Sequence, residues 1–124
     1  MSAQNPDRDG FSYDVRRLDG QAVVALAGEL DLATAPTLVE LLESLCERRV
    51  PSVVLDLADL EFCDSSGLSV LVHGRRAAEE QGTQLVLRAP PPAIRSLLEI
   101  TSLSYLLEPA RGASSGRPRP RRSP

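Results

Sequence analysis

Residues 53–68 read Val53-Val54-Leu55-Asp56-Leu57-Ala58-Asp59-Leu60-Glu61-Phe62-Cys63-Asp64-Ser65-Ser66-Gly67-Leu68. Val53 to Leu57 is a short apolar run rich in β-branched residues, the pattern of a buried strand. Residues 58–63 read as the segment that carries the chain to Asp64. From Ser65 onward, Leu68, Leu71 and Val72 recur at helical spacing, and Gly82 ends that helix. The stretch is strand, connection and helix, with Asp64-Ser65-Ser66-Gly67 at the junction. A buried strand feeding an amphipathic helix is the unit of layered α/β folds.

The flanking sequence repeats the unit. Gln84 to Arg88 reads as a strand. Pro90-Pro91-Pro92 breaks it and opens a helix with Ile94, Leu97 and Leu98 facing inward, and Leu103 to Leu107 reads as a last strand. On the other side, Thr34 or Ala35 caps a helix with Pro36 in its first turn. Leu38, Leu41, Leu42 and Leu45 form its apolar stripe, Arg48 and Arg49 suit the negative end of its dipole, and Pro51 stops it. Before it, Ala22 to Ala27 is an apolar strand. Asp19-Gly20 is a hairpin signal, and Phe11, Tyr13 and Val15 alternate as in a half-buried strand. The order β-β-α-β-α-β-α-β predicts an α/β fold. It has a mainly parallel sheet with an antiparallel edge strand, and helices packed against it. Residues 11–108 form the single domain. Residues 1–10 read as a flexible N-terminus, and residues 109–124 as a disordered Arg/Pro-rich tail.

Composition narrows the function classes. Of 124 residues 42% are apolar, but there is no Trp and there are only two Phe and two Tyr, so aliphatic side chains must fill the core. That scarcity also argues against a base-stacking surface. Every basic residue is Arg. Five of the fourteen lie after residue 110, and all seventeen acids lie before it. Residues 1–110 thus hold nine Arg against seventeen acids, a formal −8, while the tail is +5. An acidic body is not a nucleic-acid-binding domain. The tail reads either as a weak electrostatic attractor or as a solvated segment with no role. Cys46 and Cys63 sit in apolar runs and read as small core residues. No run resembles a signal peptide or is long enough to span a bilayer, so a soluble, cytoplasmic protein is expected.

Asp64, Ser65 and Ser66 are all good helix caps, so a plain capped helix accounts for them. The same position also suits phosphate, because the first turn of a helix has unpaired N–H groups and a partial positive charge. Catalytic readings find no support. The Gly-x-Ser-x-Gly pattern of the nucleophile elbow is absent. The only His, His73, lies eight residues along the same helix from Ser65, roughly 12 Å at the helical rise. Without Lys there is neither a Walker A loop nor a phospho-aspartate receiver site. One His and two dispersed Cys leave no metal constellation and imply no cofactor.

The stretch Phe62-Cys63-Asp64-Ser65-Ser66-Gly67-Leu68, preceded by Val53-Val54-Leu55-Asp56-Leu57, resembles the signature of the STAS domain. More narrowly, it resembles the bacterial anti-sigma factor antagonists. Gly28-Glu29-Leu30-Asp31 with Thr34-Ala35-Pro36 matches that family's second motif, and the resemblance covers roughly residues 11–108. It implies a partner-switching protein, not an enzyme. The unmodified form binds an anti-sigma factor with serine kinase activity and so frees a sigma factor. Phosphorylation ends the binding, and a metal-dependent serine phosphatase restores it. Carried over, the phosphoacceptor is Ser65, with Ser66 as the alternative, and Asp31, Asp64, Ser66 and Gly67 contact the partner. The resemblance also admits a phospho-switched module in a signalling complex that controls no sigma factor. The chain departs from the family pattern in having an Arg-rich tail in place of a final helix. A second departure is Cys63, where a larger apolar residue is common.

Overall fold

Asp19 and Gly20 both take positive φ, 46° and 80°, and close a two-residue hairpin whose twist matches that of its strands. The computed structural model describes residues 2–4 and 10–109. Its elements are β1 (Ser2–Gln4), β2 (Phe11–Leu18), β3 (Gln21–Leu30), α1 (Ala35–Glu47), β4 (Ser52–Cys63), α2 (Ser65–Glu80), β5 (Gln84–Arg88), α3 (Pro92–Ile100) and a short 3₁₀ turn, Ser104–Leu106. The strands form one sheet in the order β1-β2-β3-β4-β5. The β1–β2 and β2–β3 pairs are antiparallel, and β3–β4 and β4–β5 are parallel.

The parallel strands need crossovers, and α1 and α2 supply them. Both connections advance the same way across the sheet, so the right-handed rule puts both helices on one face. They pack on each other there, and α2 lies against β5. Ala22, Val24, Val53, Leu55, Leu85 and Leu87 stand in matched register beneath them, all fully buried. Phe11 and Val15 extend this layer onto β2, and Leu38, Leu42, Leu45 and Leu71 close it from the helices. The core is aliphatic apart from Phe11. Cys46 and Cys63 are free and buried within it. Ile94 and Leu98 of α3 are buried as their spacing requires, with Leu97 packed at the margin.

Three expectations need correction. Residues 58–63 are not a connecting segment but the second half of β4. The strand carries two register shifts against β3, between Ala25 and Ala27 and between Gly28 and Glu29. Each inserts an extra residue in β4 and breaks its period-two pattern, which is why the run did not read as strand. The last predicted strand, Leu103–Leu107, is the 3₁₀ turn followed by a lone parallel bridge from Leu107 to Leu87. Glu108 N–H donates to the Leu87 carbonyl at 2.8 Å, and Pro109 then has no N–H with which to continue the ladder. Within the expected flexible N-terminus, residues 2–4 form β1, paired from Ser2 with Arg16 to Gln4 with Asp14. The free backbone groups along β2 make that pairing favourable with no apolar pattern in the added strand. The remainder of that segment, and tail residues 110–124, lie outside the described residues.

Candidate functional site

Strands β3 and β4 end level with each other. Leu30 pairs with Cys63, and the Asp64 N–H donates to the Leu30 carbonyl at 3.2 Å. The two residues that follow, Asp31 and Asp64, therefore emerge side by side, about one strand spacing (~5 Å) apart. Each opens a helix. Residues distant in sequence thus meet at the carboxyl end of the sheet, where ligands bind open α/β folds.

At Asp31 the turn is tied to itself. Asp31 Oδ1 accepts from the Ala33 N–H at 3.0 Å and the Thr34 N–H at 3.1 Å. The Thr34 hydroxyl donates to the Glu29 carbonyl at 2.8 Å and accepts from the Asp31 N–H at 2.9 Å. Thr34 is the N-cap of α1 yet makes no side-chain cap bond forward into the helix. Its hydroxyl faces back and fastens β3 to the turn, and the residue is buried. Pro36 sits in the first helical turn as its sequence position indicates. Upstream, Gly28 has φ 91°, a conformation costly for any residue with a Cβ. A Cβ there would also overlap the Gly10 carbonyl oxygen.

At Asp64 the turn is tied only at its base. Asp64 is the N-cap of α2, and its Oδ1 accepts from the Gly67 N–H at 3.0 Å. Its carbonyl accepts from the Leu68 N–H at 2.9 Å. Gly67 is buried, and a Cβ on it would lie 2.6 Å from the Leu30 carbonyl oxygen and 2.8 Å from Cys63 Sγ. What it provides is the close approach of α2 to the end of β3. Ser65 is exposed and Ser66 half-buried. Neither hydroxyl makes a hydrogen bond among the described residues, and their backbone N–H groups have no acceptor there. Ser65 thus presents an exposed hydroxyl, without a hydrogen bond among the described residues, on the first turn of α2 next to the Asp64 cap.

Burial pushes the Cys63 thiol up to about 11, and neighbouring Asp64 adds to the shift. The thiol is therefore protonated and inert at neutral pH. His73 is exposed along α2, two helical turns from Ser65. No group of three potential metal ligands occurs among the described residues, and none of their helices is long and apolar enough to cross a membrane.

Two residues of this end were not singled out from the sequence. Leu32 is 75% exposed in the Asp31 turn, and Phe62 is 48% exposed at the end of β4. Phe62 lies beyond the second register shift, so alternation counted from Val53 gives no indication of its facing. Leu32 has only a weak signal, a large apolar residue between an Asx turn and a helix cap.

This is a small α/β domain that displays two serines on the capped first turn of a helix. Comparison with known proteins places it. A family model described as Mlab, STAS domain matches residues 13–108, and the chain belongs to the STAS-domain family. It is 30% identical over 106 residues to the anti-sigma-B factor antagonist of Bacillus subtilis, covering 86% of this chain and 96% of the relative. To the anti-sigma-B factor antagonist of Listeria monocytogenes it is 31% identical over 99 residues, covering 79% of this chain and 87% of that one. Its fold matches that of the anti-sigma factor antagonist SpoIIAA, solved in its unphosphorylated form. The TM-score is 0.69 at 21% identity, over 79% of this chain and 87% of the other.

Proposed function

We propose that this chain is an anti-sigma factor antagonist that works by partner switching, with Ser65 as the phosphoacceptor. The unmodified protein binds an anti-sigma factor with serine kinase activity and frees a sigma factor. That kinase transfers the γ-phosphoryl group of ATP to Ser65 Oγ. The O–P bond to the serine forms as the bond to ADP breaks, and the hydroxyl proton leaves to a base on the kinase. A metal-dependent serine phosphatase hydrolyses the ester and restores the binding form. The antagonist is a binding regulator, and the catalysis belongs to its partners.

The observation that carries this reading is the exposed, unengaged hydroxyl of Ser65 on the capped first turn of α2. Ser66 is half-buried and harder to reach. The free N–H groups of Ser65 and Ser66 and the positive end of the helix can hold a phosphate without disturbing the Asp64 cap. A phosphate adds close to two negative charges beside Asp31 and Asp64. Repulsion and bulk then fall on whatever docks over Leu32 and Phe62, so the interface is lost while the fold persists.

Incubation with ATP and the cognate kinase, followed by mass spectrometry, tests the site. Phosphate on Ser65 is expected; phosphate on Ser66 alone, or none, overturns the assignment. Ser65→Ala should bind the kinase constitutively and Ser65→Asp weakly. Equal binding by Ser65→Asp and the unmodified chain would remove the electrostatic release. Pull-down of the unmodified protein should recover an ATPase-fold kinase that also holds a sigma factor. Recovery of a scaffold instead would favour a signalling complex outside sigma control.

A further inference from the structure

Helices α1 and α2 leave an open groove of about 370 Å³ along their outer contact. Val39, Leu42, Cys46, Val70 and Ala77 give it an apolar floor, and Glu43 stands on its rim. At the α1 C-terminal end the groove runs into a more polar recess bordered by Glu47, Gln81 and Arg49. Glu40, Glu43 and Glu47 are all exposed and follow one another at helical spacing along α1. None of the three is in an ion pair or hydrogen bond among the described residues. Among the described residues, Arg49 is the only Arg lining either recess.

We propose that this groove binds the chain's own C-terminal segment, residues 111–124. That segment carries five Arg and no acid, whereas residues 1–110 carry a formal −8. Arg stems lie on apolar surface while their guanidinium groups reach carboxylates, so an Arg-rich peptide satisfies both floor and rim. Reach is no obstacle. Fifteen residues follow Pro109 and extend to about 50 Å, against a radius of gyration of about 13 Å for a 100-residue domain. Tethering holds the segment at an effective concentration of about millimolar, so contacts too weak for a free peptide suffice. Its occupancy would cover the outer face of α2, the helix whose N-terminus carries Ser65.

The test uses the full ¹⁵N-labelled chain and a second full chain in which Arg111, Arg117, Arg119, Arg121 and Arg122 are all Ser. Amide resonances of Val39, Glu43, His73, Ala77 and Gln81 should differ between the two. The difference should shrink in 0.5 M NaCl, where the Debye length is only a few ångströms. A synthetic peptide of residues 110–124, added to the Arg→Ser chain at several-millimolar concentration to match the tethered effective concentration of about millimolar, should move those resonances back toward the positions of the original. Substituting Glu40, Glu43 and Glu47 by Gln should abolish the response to the peptide, with a thermal melt verifying that the variant is folded. Coincident spectra of the two chains would overturn the proposal, as would a response confined to residues elsewhere. A difference that grows with protein concentration would assign the groove to a second copy instead and equally overturn it.

Discussion

The turns at Asp31 and Asp64 are built from the same parts and used differently. Each follows a parallel strand, begins with an aspartate and leads into a helix. At Asp31 the carboxylate and the buried Thr34 hydroxyl bind the local backbone so fully that the turn is a clasp. At Asp64 one carboxylate oxygen caps the helix, Gly67 seats it, and the two serine hydroxyls make no hydrogen bond among the described residues. A rigid neighbour and a rigid base hold a chemically idle surface residue in place. Such a turn can accept a modification with little effect on the fold, because nothing structural depends on the group modified.

Substitutions that rank the parts of the two turns can break this contrast. Gly67→Ala should have the largest effect. Its Cβ would meet the Leu30 carbonyl and Cys63 Sγ below ordinary contact distance, so a loss of about 3 kcal/mol is expected in urea unfolding. A neutral result would mean that α2 is not seated as described. Alkaline pH comes next. The Cys63 thiol is pushed from its ordinary 9.0 up to about 11 in the folded chain. Above pH 9 the unfolded chain loses the proton while the folded chain keeps it, so stability falls as pH rises from about 9 to about 11. The fall should be on the order of 2 kcal/mol, and a chain with Cys63→Val should show a flatter profile over that window.

Thr34→Val strips the hydroxyl from the clasp and leaves the Glu29 carbonyl and Asp31 N–H unpaired. A cost of about 1–2 kcal/mol is expected by thermal or urea denaturation. Asp64→Ala removes one cap bond and should cost about 1 kcal/mol. Ser65→Ala should change stability by less than about 0.5 kcal/mol while abolishing phosphate incorporation. Were Ser65→Ala as costly as Thr34→Val, the exposed turn would be structural and the contrast between the two turns would disappear.

Much of this was legible along the chain. The hairpin at Asp19-Gly20, the stripe from Leu38 to Leu45 and the start of α2 at Ser65 depend on turn chemistry and on periods of two and 3.6. Those are properties of near neighbours. The caps were narrowed for the same reason to Thr34 or Ala35 and to Asp64, Ser65 or Ser66, of which the structure uses Thr34 and Asp64, and the resemblance around Asp64 pointed to Ser65. The length of β4 was not visible, because two inserted residues shift the period and their only cause is the pairing with β3. Nor were β1 and the Leu107 bridge, since both are made by backbone groups on an edge that another part of the chain supplies. The facing of Phe62 was lost with the register.

Residue order and side-chain type thus gave most of the elements and their sequence, because each reads from a window of a few residues, and the family resemblance supplied Ser65 as the candidate phosphoacceptor. Folding in three dimensions settled which of the two aspartate turns is locked and which is free. That outcome depends on Leu30 pairing with Cys63 and on Gly67 resting against the end of β3, contacts between residues more than thirty positions apart.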